Sequence, residues 1–176
     1  MLNRTGSDSY QTQREHAYMP EIRRTFSAAS ELRYSILAAQ REGHRQLALS
    51  LAAQGVTPSQ AEVIMVLSEY GPITLRGLGR LLVCESGSPS RLVDTLVKRG
   101  LVHRVDNPMD RRQVLLQLTP AGHNLCPEVL ANEKTTEESL REAFGEELLE
   151  EFVQATRRFL SGSAAGEALR LRFVTE

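Results

Sequence analysis

The sequence predicts a mainly α fold carrying one small β-hairpin. Three observations lead there. Apolar residues recur at helical spacings, as in Ile22, Phe26, Ala29, Leu32 and Ile36. Thr-Pro pairs at Thr57-Pro58 and Thr119-Pro120 mark helix starts, because a hydroxyl caps the first turn and proline suits its opening position. Near the middle of the chain the apolar period drops to two, at Val114, Leu116 and Leu118.

Residues 1–19 are polar without a sustained period and read as a flexible N-terminal tail. A helical pattern begins near Pro20 and Glu21, continues through Leu47 to Ala53 with a bend expected at Gly43, and ends at Gly55. Thr57 and Gln60 form a capping box ahead of a helix that buries Val63, Ile64, Val66 and Leu67 and stops at Tyr70-Gly71-Pro72. Thr74 caps a short helix with Leu75, Leu78, Leu81 and Leu82 facing inward. Its Gly77 and Gly79 each weaken it by roughly 1 kcal/mol relative to Ala, so packing must hold it.

Cys84-Glu85-Ser86-Gly87 is the next turn, and a helix from Ser88 to Arg99 follows, ending at Gly100. Leu92, Val93, Leu96 and Val97 form its inward stripe. Two strands, Leu101–Val105 and Arg112–Leu118, flank a tip of Asp106-Asn107-Pro108-Met109-Asp110-Arg111-Arg112. Beyond Thr119-Pro120 a long helix runs to about Phe144, Gly145 breaks it, and a last helix covers about Glu146 to Leu160. Residues 161–176 carry no clear assignment.

The net charge is only −1, yet it is unevenly placed. From Arg76 to Arg112 there are eight Lys/Arg against four acids; from Glu128 to Glu151 there are nine Glu against Lys134 and Arg141. That asymmetry suggests a basic face for a polyanion and an acidic, solvated remainder. Two cysteines are too few for a disulfide framework, and no apolar run reaches membrane-spanning length. The expected setting is soluble and cytoplasmic, without a membrane.

A helix pair followed by an arginine-tipped hairpin suits duplex DNA, one helix entering the major groove and the hairpin the adjacent minor groove. The first half of the second helix is small and polar, with Ser86, Ser88, Pro89 and Ser90, so it can approach base edges, and Arg91 can reach a guanine or a phosphate. A capped surface helix would use the same residues. At the tip, Arg112 is expected in the minor groove with Asp110 holding its guanidinium, and Arg111 on a phosphate.

Other chemistries are weaker. Gly77-Leu78-Gly79 lacks the third glycine and preceding strand of a dinucleotide site. His123 and Cys126 form at most half a metal site, so neither metal nor cofactor is expected. No catalytic triad or carboxylate pair has a telling context, and the chain does not read as an enzyme. Cys84, just ahead of the recognition helix, leaves a cysteine-based redox switch as an alternative. A winged-helix module for protein contacts is another; steep loss of duplex binding with salt would separate it from a DNA-binding protein.

The run Arg91-Leu92-Val93-Asp94-Thr95-Leu96-Val97-Lys98-Arg99-Gly100-Leu101-Val102, the wing tip and the closing Leu118-Thr119-Pro120-Ala121-Gly122 resemble the MarR family of transcription regulators. The match covers about residues 22 to 160 and departs from the usual pattern at Gly87 and Pro89. The resemblance implies a winged helix-turn-helix over residues 57–119, flanked by dimerisation helices in 20–55 and 120–160. It implies a homodimer with interleaved terminal helices, the base-reading turn at 86–91, and Asp110 steadying a minor-groove Arg112. It further implies a repressor on an inverted-repeat operator, released by a small phenolic or lipophilic ligand.

Overall fold

The computed structural model describes residues 27–83 and 88–173. The chain divides into two compact units between Arg41 and Glu42. Pro20, Ile22 and Phe26, expected to open the first helix, lie outside the described residues, as do Cys84 and Ser86.

Helix α1 spans Ala28–Ser50 and continues through Gly43, where the sequence had suggested a bend. One glycine weakens a helix by about 1 kcal/mol, which is less than a break requires. In the first unit Leu32, Ile36 and Leu37 are exposed. A single 3-10 turn, Ala52–Gln54, follows α1, and Gly55 closes it with a left-handed backbone as expected.

Helix α2, Pro58–Tyr70, starts at the predicted capping box: the Thr57 hydroxyl accepts from the Gln60 amide, and the Gln60 side chain accepts from the Thr57 amide. It is the centre of the core, with Val63 and Ile64 fully buried. Helix α3, Leu75–Leu81, is capped by Thr74. Its Leu78 and Leu81 are buried, but Leu75 is exposed and Leu82 half-buried. Four leucines were expected to face inward; seven helical residues give only two a buried position. Helix α4, Pro89–Lys98, buries Val93 and Leu96.

The sheet has three strands, not two. Strand β1, Ile73–Thr74, pairs antiparallel with β3, Val114–Leu118, and β3 pairs antiparallel with β2, Val102–Asp106. Two residues of β1 are too few to show a period in sequence. Leu116 and Leu118 are buried as predicted; Val114 is exposed, because the hairpin extends past the core there. Arg112 precedes β3 and sits in the turn, outside the strand to which it was assigned.

Helix α5, Pro120–Phe159, is interrupted at Gly145, whose φ of 69° and ψ of 162° leave the helical region. An L-residue with a side chain is strained at that φ, so the break at glycine is physically sensible. Its two segments match the helices predicted to 144 and from 146. The unassigned C-terminal stretch contains a further helix, α6, Ala164–Phe173, with Ala168 buried and Leu171 packed on the core. Its small, charged, mixed sequence hid the period.

The hairpin is closed by α5. The Thr119 hydroxyl donates to the Gly100 carbonyl at 2.6 Å and accepts from the Gly122 amide at 3.1 Å. The Thr119 amide donates to the Leu101 carbonyl. A Cβ on Gly122 would lie about 2.2 Å from that same carbonyl oxygen, so only glycine fits. Gly122→Ala should therefore cost about 2–3 kcal/mol of stability, as an overpacked core does. Thermal denaturation of parent and variant checks it; an unchanged midpoint would show that the α5 start shifts freely.

Candidate nucleic-acid interface

Helix α3, the start of α4 and strand β3 surround an open groove lined by Thr74, Leu75, Arg76, Gly79, Ser88, Pro89, Ser90, Gln113 and Val114. Three of the residues singled out in sequence, Ser88, Pro89 and Ser90, thus share one surface with the wing's β3 edge. Arg76 and Gln113 belong to the same surface and went unnoticed; only the charge count signalled Arg76. The Ser88 and Ser90 hydroxyls lie 2.9 Å apart, within hydrogen-bond distance of each other. Arg91, on the first turn of α4, is exposed.

The wing tip is built from two Asx turns. The Asn107 side chain accepts from the Met109 amide at 3.0 Å, and the Asp110 carboxylate accepts from the Arg112 amide at 3.0 Å. The second Asp110 oxygen accepts from the Gln113 side chain at 2.8 Å. Asp110 therefore shapes the backbone beneath Arg112. The expected contact between the Asp110 carboxylate and the Arg112 guanidinium is not formed. Arg111 and Arg112 are both exposed.

The eight basic residues divide by partner. Arg104 pairs with Asp94 at 2.6 Å, bracing β2 against α4. Arg99 donates to the carbonyls of Gly55 and Gln54 and to Gln60, tying the end of α4 to the turn before α2. Arg80 reaches Glu167 of α6 at 3.4 Å. Among the described residues, Arg76, Arg91, Lys98, Arg111 and Arg112 form no ion pair. Of these five, Arg76 lines the groove, Arg91 is on the first turn of α4, Lys98 ends α4, and Arg111 and Arg112 lie at the wing tip.

The Cys126 thiol is buried and donates to the Gly122 carbonyl within α5. Among the described residues no three His, Cys, Asp or Glu side chains gather as metal ligands. Nor is any helix there long and apolar enough to cross a membrane.

A winged helix DNA-binding domain model matches residues 56–122, which span α2 to the first turn of α5. The multiple antibiotic resistance protein MarR of Salmonella typhimurium is 34% identical over 76 residues, 43% of this chain and 53% of that protein. The chain thus spans about half the length of that relative. An uncharacterised HTH-type transcriptional regulator of Bacillus subtilis, YhbI, is 30% identical over 107 residues, 61% of this chain and 70% of that protein. Among solved structures, an Escherichia coli MarR mutant complexed with operator DNA has a TM-score of 0.67 at 24% identity, covering 74% of this chain and 94% of that one. An organohalide-sensing regulator in its 2,4-dichlorophenol-bound form has a TM-score of 0.72 at 16% identity, covering 85% and 89%. Both show the shared fold. The chain belongs to the MarR family of winged-helix transcription regulators.

Asp110→Ala removes the acceptor of both the Arg112 amide and the Gln113 side chain; it should speed amide exchange at Arg112 and cost about 1–2 kcal/mol, the usual net value of two exposed hydrogen bonds. Asp110→Asn keeps a side-chain oxygen and should preserve the protection. Exchange read by NMR decides it; equal protection in all three proteins would remove Asp110 from wing shaping.

Proposed function

We propose that this protein is a non-catalytic, sequence-specific DNA-binding regulator that works in the cytoplasm. The observation that carries the proposal is the set of cationic side chains that form no ion pair among the described residues, with Arg76 lining the groove, Arg91 on the first turn of α4, and Arg111 and Arg112 at the wing tip. The α4 start, Ser88 to Arg91, is suited to base edges in the major groove, and Arg112 to the minor groove, whose narrow form concentrates negative potential. Arg111 and Arg76 are placed for phosphates. The likeness to a MarR protein solved with operator DNA supports this reading.

The proposed working form is a homodimer, paired through the helices of 20–55 and 120–160. Phe144, Leu148, Phe152, Val153 and Phe159 are exposed along α5, and a C2 pairing would bury the same patch twice. Two recognition helices then read an inverted repeat with half-site centres roughly 10 bp apart. Repression, with release by a small phenolic or lipophilic ligand, is the family-based extension; the dichlorophenol-bound relative is consistent with it. A ligand that favours a DNA-incompetent spacing would release DNA by population shift.

Arg112→Ala should reduce duplex affinity by about 1–3 kcal/mol or more while leaving the melting temperature unchanged. Binding of the parent should also fall steeply with salt. Fluorescence anisotropy on a duplex selected from random sequence reads both, and parent-like binding by Arg112→Ala would instead favour the protein-contact module.

Sedimentation of the parent at micromolar concentration should give a dimer, and Phe152→Arg should shift it toward monomer. A folded parent monomer would remove the dimer reading.

A further inference from the structure

Helix α6 is fastened to the helix-turn-helix by polar contacts at three points. The Tyr70 hydroxyl, at the end of α2, donates to the Arg172 carbonyl at 3.3 Å. Glu167 meets Arg80 of α3 at the surface. Between them, Glu62 of α2 and Arg172 form an ion pair at 2.8 Å with side chains only 14% and 12% exposed. Every other ion pair among the described residues is far more open.

The same Glu62 oxygen, Oε1, that receives the Arg172 guanidinium also accepts from the Val83 amide at 2.8 Å. Val83 is where the chain leaves α3 on its way to the recognition helix. The α3 helix itself ends two residues earlier, at Leu81, and the amide of its C-cap Leu82 donates to the Leu78 carbonyl. One carboxylate thus sets the exit direction from α3 and is itself oriented by a cation on the C-terminal helix. Glu133 of α5 faces the same pair. Burial pushes its carboxyl above the ordinary range, while Arg172 draws it back and Glu137 and Glu62 push it further.

A half-buried pair of this kind is a poor route to stability, since apolar residues of similar volume often stabilise as well or better. What an apolar pair could not supply is an acceptor for the Val83 amide. We propose that Glu62 is a positioning residue for the DNA-reading helix, and that α6 acts through Arg172 to hold it. DNA affinity then depends on the docking of a C-terminal helix that carries no groove residue. The proposal rests on the DNA-binding reading above.

The test uses the full chain with Glu62→Ala, Glu62→Gln, Arg172→Met and, as a control, Arg112→Ala. Affinity for a duplex selected from random sequence is measured well below each melting midpoint, together with exchange of the Val83 amide. Glu62→Ala and Arg172→Met should weaken binding roughly fivefold or more, in the range of coupled sites, and expose the Val83 amide. Glu62→Gln keeps an oxygen acceptor and should recover part of the Val83 protection. Arg112→Ala should lose affinity with Val83 unchanged. Parent-like affinity, or unchanged Val83 exchange, in both Glu62→Ala and Arg172→Met overturns the proposal. If Glu62→Ala fails to fold, Glu62→Gln and Arg172→Lys carry the same comparison. A parent that binds no duplex would instead sink the DNA reading, and Val83 exchange in Arg172→Met would still decide whether α6 controls the exit from α3.

Discussion

Thr119 joins three parts of the fold through one hydroxyl and one amide. It holds the carbonyls of Gly100 and Leu101, where α4 gives way to β2, and it caps the first turn of α5. A two-stranded hairpin is marginal alone in water. Here β1 adds only two residues, so the hairpin depends on its base for orientation. Because that base is bonded to both α4 and α5, the wing cannot rotate freely against the recognition helix. The close approach of Gly122 to the Leu101 carbonyl makes the junction compact as well as bonded. Groove and wing keep a common geometry because of this corner.

The charge of the basic segment is less a uniform surface than a division of labour. Arg99 and Arg104 sit beside acceptors that belong to the fold: the carbonyls of 54 and 55 for one, the Asp94 carboxylate for the other. Exposed pairs such as Arg104–Asp94 contribute at most about 1 kcal/mol, so their value lies in geometry more than in stability. Among the described residues, the cations left over are Arg76, Arg91, Lys98, Arg111 and Arg112, which form no ion pair even where Asp94 and Asp110 stand close in sequence. Asp110 forms no ion pair with Arg112; its oxygens accept from the Arg112 main-chain amide and from the Gln113 side chain. The Arg111 and Arg112 guanidinium groups therefore stay outside any ion pair among the described residues while the backbone beneath Arg112 is held.

Most of the helices were legible in sequence because their punctuation is chemical. Thr57, Thr74 and Thr119 cap where expected, and Gly55, Gly100 and Gly145 adopt left-handed backbones. The winged-helix arrangement followed from this order. Three things did not. Strand β1 is too short to carry a period, and α6 has a weak one because its burial rests on Ala168 and half-buried neighbours. The Glu62–Arg172 pair joins residues more than a hundred positions apart, and no local pattern announces it. At the site, the polar α4 start and the arginine tip could be read directly, whereas Arg76 and Gln113 join the groove only through folding. The side-chain contact expected between Asp110 and Arg112 became a main-chain one, a distinction invisible to spacing.

The interruption at Gly145 changes what the long helix can tolerate. In an unbroken helix, residues eight apart are separated by about 12 Å along the axis. Across the break, the rings of Phe144 and Phe152 come to 5.6 Å between centroids. The backbone leaves the helical region at Gly145, so the two segments no longer share one rotational phase. The apolar positions of each segment follow that segment's own helical period. The helical register beyond Gly145 is thereby separate from that of the segment that anchors the wing.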